Sequence, residues 1–216
     1  LTLLIPILAF FLNKGNKQLY FKKIILLFFI LKLVNEVINN YFYYRLYNVY
    51  VLNGIVFSYL KMVLICMIYK SIASTTLLRK GALIGLFIYA SALTMYLIFF
   101  ADGNYYDKIP SSFQGILLIT LSILFFYEQI KKPETVFIYA LPEFWYVTAV
   151  FLHAAGTFFI YIFAKFWLQD ATNENDYNNI HGILTIIYNL MIGFAVWKQY
   201  RDPFLKTTTT SKPITA

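Results

Sequence analysis

Lys32, Asn35, Glu36 and Asn39 fall at i, i+3, i+4 and i+7 within an otherwise apolar run. A helix would place all four on one face. Lys32 and Glu36 would then stand one turn apart and could pair, in the less favoured order with the lysine first. Asn53, Gly54, Phe57 and Lys61 form a similar stripe in the next apolar run. Counted from the ends of these runs, Lys32 and Lys61 both come out near mid-depth. A Lys32–Glu36–Lys61 cluster is therefore geometrically plausible. An ionisable group in hydrocarbon costs about 2.5–3.5 kcal/mol on insertion scales, so it normally faces the bundle or a wet cavity. Two roles follow: a ligand or proton-coupling cluster, with Asn35, Asn39 and Asn53 beside it, or a charge pair that sets helix register while one lysine snorkels to an interface.

A second constellation lies further along. His153, Gly156, Thr157 and Tyr161 share one face of one run, and His181, Thr185, Tyr188 and Asn189 lie along the next. Their imidazole, hydroxyl and amide groups could line a pocket opening outward, and a hydrogen-bonded packing seam accounts for them as well. His181, near the outer end of its run, could sense pH near neutrality. A metal centre is not expected. The two histidines are 28 positions apart, with no HxxxH, HExxH or paired cysteines. Gly81 and Gly85 form a GxxxG pair, which permits close helix contact within the chain or between copies in a homo-oligomer. No GxxxxGK[ST] loop, GxSxG elbow or DxxD array is present, which lowers hydrolase and ATPase readings. The last apolar run has no central lysine for a retinal Schiff base, and no cofactor is implied.

These residues have to be positioned by membrane helices. Of 216 residues, 60% are hydrophobic and only 13% charged, about half the charge of an ordinary soluble domain. One cysteine, Cys66, excludes a disulfide-stapled module. The net charge of +8 is spread between apolar runs, a topology signal with no basic cluster for nucleic acid. A span needs roughly 20 mainly apolar residues. Seven candidates lie at 1–12, 19–42, 48–69, 81–100, 112–130, 143–167 and 180–200, the first short and without the basic flank of a signal peptide. Solidly apolar stretches such as Ile24 to Leu31 argue against barrel strands, which alternate. Pro110, Pro133, Pro142 and Pro203 fall in the proposed connections, and only Pro6 sits inside a span. The polar stretches NKGNKQ, ADGNYYDKIPSS and QDATNENDYNN read as joints, too short for a soluble domain.

Placing the N-terminus outside puts thirteen Lys and Arg residues in the inner joints and tail and three (Arg45, Lys108 and Lys165) in the outer joints. The positive-inside rule then sets the C-terminus inside. Trp145, Trp167 and Trp197 stand at predicted helix ends, and Tyr41, Tyr43, Tyr44, Tyr47 and Tyr50 crowd one outer joint, as interfacial anchors do. The expectation is an all-α membrane protein. Residues 1–206 form one seven-transmembrane-helix bundle whose first helix is truncated or short, and 207–216 a flexible cytoplasmic tail.

The stretch PEFWYVTAVFLHAAGTFFIYIFAKFWLQ, followed by NNIHGILTIIYNLMIGFAVWK, resembles small integral membrane proteins of Bacteroidetes bacteria. The resemblance rests on Phe144 and Trp145, on Gly156, Thr157, Phe158 and Phe159, and on Asn189, Gly193 and Trp197. NEVINNYFYYRLYNVYVLNGIVFSYL is similar to the family's Glu-containing helix and Asn-rich aromatic turn. The family often carries a second acidic residue near the position of Asn53. These proteins look like stand-alone relatives of the sensory input modules that accompany histidine kinases. The resemblance implies a bacterial inner-membrane location and a signalling role, and it transfers no catalytic residue.

The expected function is a sensory or receptor-like membrane protein that passes a stimulus to a histidine kinase or another signalling partner. The alternatives are a small transporter or carrier subunit with a Glu/Lys polar path, and a structural membrane scaffold. The transporter reading is weakened because the chain shows no repeated halves with broken helices. No nucleophile and base pair identifies an enzyme.

Overall fold

The computed structural model of the chain describes residues 2–12, 20–42, 47–99, 108–131, 138–167 and 171–198. Among them are seven α-helices and no strand: α1 Leu4–Leu12, α2 Tyr20–Phe42, α3 Tyr47–Ile72, α4 Thr76–Phe99, α5 Lys108–Ile130, α6 Pro142–Trp167 and α7 Ala171–Lys198. A single 3-10 turn, Ile138–Ala140, precedes α6. The expected joint NKGNKQ, most of ADGNYYDKIPSS, Tyr43, Tyr44, Arg45, Pro133, Pro203 and the tail 207–216 lie outside the described residues.

The helices follow the apolar runs closely, with two main differences. α4 starts at Thr76 and not at 81, so Arg79 and Lys80 belong to its first turns. α7 starts at Ala171 and not at 180, so much of the polar QDATNENDYNN stretch is helix and not joint. Hydropathy marks only the part of a helix that meets lipid; its internal backbone hydrogen bonds continue equally well beyond that layer.

Among the described residues, five segments are long and apolar enough to cross a membrane: Leu52–Ile72, Thr76–Phe99, Pro110–Ile130, Pro142–Ile162 and Asp176–Lys198. The chain is thus an all-helical protein of multi-pass membrane character. α2 has the length, at 23 residues, and carries Lys22, Lys23, Lys32 and Glu36. α1 has nine residues, or about 13 Å of helix. Large apolar side chains cover the outside, as on α4, where Leu83, Ile84, Phe87, Ile88, Met95 and Ile98 are exposed. In water such a surface would drive association, whereas lipid tails are as apolar as these side chains.

The helices pack in sequence order into a closed ring, α1 against α2 through to α7 and back to α1. The second half of α3 leans into the middle, and Met62, Ile65, Cys66, Ile68 and Tyr69 are buried there. The Tyr69 hydroxyl pairs with the Ser122 hydroxyl of α5 at 2.7 Å, so its buried polar end is satisfied. Glycines allow the closest approaches. A Cβ on Gly156 would lie 2.6 Å from Leu184 Cδ1 of α7, and one on Gly193 2.8 Å from Ile5 Cγ2 of α1. Gly81 of the GxxxG pair meets Leu124 of α5 in the same chain, and Gly85 is buried with nothing within 4 Å of where a Cβ would stand.

Polar contacts fasten the ends. Asn189 donates to the Thr2 hydroxyl at 3.0 Å, which, with Ile5 against Gly193, sets α1 beside the last third of α7. Pro6, Pro110 and Pro142 fall in the first turns of α1, α5 and α6, the last two inside helices and not in connections. There a missing N–H has no helical partner to lose. The short α3–α4 connection is held by Glu128 of α5. Its carboxylate accepts from the Ser74 backbone N–H at 3.3 Å, from the Ser74 hydroxyl at 3.0 Å and from the Thr75 hydroxyl. Arg79 donates to the Ala73 carbonyl at 3.2 Å, capping the end of α3. At the same end, the Lys198 ammonium donates to the Tyr139 carbonyl and lies 5.4 Å from the Trp145 ring. Lys22, expected in the inner rim, is turned inward and buried, with no hydrogen-bond partner for Nζ among the described residues.

Candidate functional site

Near the middle of the bundle the polar side chains converge on one cavity of about 70 Å³. Lys32 of α2, Lys61 of α3, His153 of α6 and Tyr188 of α7 line it. Phe28, Phe57, Ile65, Leu118 and Val150 form its apolar walls. The helices have to meet here for a simple reason. Each carries its polar residue on the stripe that faces the ring centre, because lipid would leave an ammonium or imidazole unsatisfied on the other side.

The Lys32 ammonium stands 5.6 Å from the centroid of the Tyr188 ring, within the range of a cation–π contact. Tyr188 is held from both flanks. The Phe29 ring stacks on it at 6.3 Å and the His153 ring lies tilted at 4.7 Å. His181 approaches His153 edge-on at 6.3 Å, and Tyr161 lies 6.3 Å from His181. A chain of rings therefore runs from the cavity toward the end where α6 finishes and α7 begins.

The expected cluster is partly assembled. Lys32 and Lys61 share the cavity. Glu36 does not line it and is exposed on α2, with no ion pair to Lys32 among the described residues. The asparagines do come together: Asn53 Nδ2 donates to Asn35 Oδ1 at 2.8 Å and to Asn39 Oδ1 at 2.7 Å. This clamp joins α2 to α3 one to two turns beyond the lysines, toward the end where α2 finishes.

The second constellation divides. His153 and Tyr188 belong to the same cavity as the lysines, and His181 lies edge-on behind His153. The Thr157 hydroxyl donates back to the His153 carbonyl at 2.7 Å and the Thr185 hydroxyl to the His181 carbonyl at 2.9 Å. Both hydroxyl protons are thus committed within their own helices. Asn189 is turned a third of a circle from Tyr188 and faces α1 instead. Among the described residues no group of three metal-ligating side chains occurs.

Sequence reasoning separated the lysines from the histidine–tyrosine face, whereas the fold makes one site of them. It also passed over Phe28, Ile65, Leu118 and Val150, which look like any other apolar span residue. Glu128 was the more legible omission, a carboxylate three residues before a Lys-Lys pair.

The fold and the site define a multi-pass helical membrane protein with an internal polar cavity. Comparison with protein-family models, with curated proteins and with solved structures gives no match at a significant level.

Proposed function

We propose that this chain is a seven-helix sensory or receptor-like protein of a bacterial inner membrane, with its N-terminus outside and its C-terminus inside. The convergence of Lys32, Lys61, His153 and Tyr188 from four helices on one cavity carries this reading. An occupant there touches α2, α3, α6 and α7 at once. A ligand that prefers one packing of these helices shifts the population toward it, and small helix displacements carry that shift to the ends. The basic end, with Lys23, Lys70, Arg79, Lys80, Lys131 and Lys198, would present the change to a cytoplasmic or membrane partner such as a histidine kinase. The resemblance to sensory input modules supports the same direction.

The experiment is isolation of the full chain from its native membrane, with transcript profiling of a deletion strain. A signalling partner recovered with the wild type, and transcription altered by both deletion and Lys61→Met, are expected. Recovery of no signalling partner together with unchanged transcription would overturn the proposal.

A small transporter is the second reading, favoured by the Asn35–Asn39–Asn53 clamp between the cavity and one end of the bundle. Substrate flux in reconstituted vesicles that Glu36→Gln or Lys61→Met abolishes would favour it over sensing.

A further inference from the structure

The lining of the cavity has an unbalanced charge. Two ammonium groups and an imidazole face it, and its other lining residues are aromatic or aliphatic. Glu36, one turn along α2 from Lys32, is exposed and outside the lining. Neither ammonium has a close ion pair or a hydrogen bond to a described residue; the Tyr188 ring face lies beside Lys32, and the Glu36 carboxylate attracts it only from beyond ion-pair distance. Like charges between largely apolar walls repel with less screening than in water, and a half-buried charge without a close partner is costly. A negative charge between the two lysines relieves both terms together and gives their N–H groups acceptors.

Size narrows the candidates. A cavity of about 70 Å³ is about half the roughly 150 Å³ of an engineered apolar cavity that takes up benzene. A phosphate ester, a sugar acid or a nucleotide is too large to enter whole. We infer that the cavity binds one small monovalent anion, a halide or a one- to two-carbon carboxylate, between Lys32 and Lys61, with His153 as a further donor. This inference rests on reading the cavity as the binding site and names the class of its ligand. Tyr188 and Phe57 are among the aromatic side chains that line the cavity.

The test uses the purified full chain in detergent at fixed pH and ionic strength, with sodium gluconate replaced stepwise by chloride, bromide, formate or acetate. Gluconate, with six carbons, serves as the anion that does not fit. Thermal unfolding is expected to shift upward and saturate with the small anions, and Lys32→Met and Lys61→Met to lose the saturable part. A response to halides alone assigns the site to an inorganic ion, and a response to formate and acetate assigns it to a carboxylate. If either variant does not fold, chloride line broadening in NMR of the wild type, reversed by competing bromide or acetate, supplies the same decision. Unfolding temperatures that are equal in all salts, or shifts in both variants as large as in the wild type, overturn the inference. That outcome leaves the sensory reading to its own test, recovery of a signalling partner.

Discussion

The ammonium of Lys32 on α2 and the ring of Tyr188 on α7 stand 5.6 Å apart at the central cavity, so α2 and α7 are tied within the bundle. The contact links the charged stripe of α2 to a residue of the second constellation. It also explains why Tyr188 is buried within the bundle and not placed in a headgroup layer.

A double-mutant cycle measures this contact. Tyr188→Leu should lower stability to unfolding in detergent, with about 0.5–2 kcal/mol of the loss belonging to the cation–π term. Tyr188→Phe should keep most of that term, and Lys32→Met should erase it. If the two substitutions prove additive, the rings and the ammonium are not coupled.

The asparagine clamp makes a sharper prediction about Asn53 than about Glu36. Asn53→Leu removes both donors to Asn35 and Asn39, and each lost interhelical bond should cost about 0.6 kcal/mol, up to about 1.7. Glu36→Gln, at an exposed position, should leave stability within about 0.5 kcal/mol of wild type. Equal losses in equilibrium unfolding would mean that Glu36 is engaged and the clamp is incidental.

Gly156 should tolerate no branched side chain. Its Cβ position lies 2.6 Å from Leu184 Cδ1, so Gly156→Val should destabilise by about 1–3 kcal/mol through overpacking. Leu184→Ala in the same chain should restore part of the loss. Gly182→Ala, with nothing within 4 Å, is the matched control and should be neutral or better by helix propensity. Rescue that fails while the control behaves would point to a backbone role for Gly156.

Glu128 is predicted to be a structural residue of the α3–α4 connection. Glu128→Ala leaves the Ser74 N–H, the Ser74 hydroxyl and the Thr75 hydroxyl without their acceptor, and bonds to a charged group carry about 1.5–3 kcal/mol each. The expected signature is faster proteolysis near residues 73–75 ahead of global unfolding. Protection unchanged from wild type would show that water replaces the carboxylate without loss.

The amino-acid sequence by itself determined that this is a helical membrane protein, and nearly where each helix runs. The reason is solvation: a backbone in hydrocarbon must satisfy its own hydrogen bonds, so apolar runs such as 82–99 declare their structure without reference to any partner. Spacing alone also placed Asn35 and Asn39 on one face of α2, and they do share one donor, Asn53. It could not tell which apolar stretch continues as helix past the lipid layer, and α7 starts nine residues earlier than its hydropathy indicates. Nor could it choose between Glu36 on the same helix and Tyr188 on another as the nearest partner of Lys32. Each helix presents several polar stripes, and its rotation about its own axis is set by packing: Gly156 against Leu184, Gly193 against Ile5, and α3 drawn into the ring. Only that packing turned Glu36 outward, sent Asn189 to Thr2, and brought Lys61, Lys32, His153 and Tyr188 from four separate runs to the walls of one cavity.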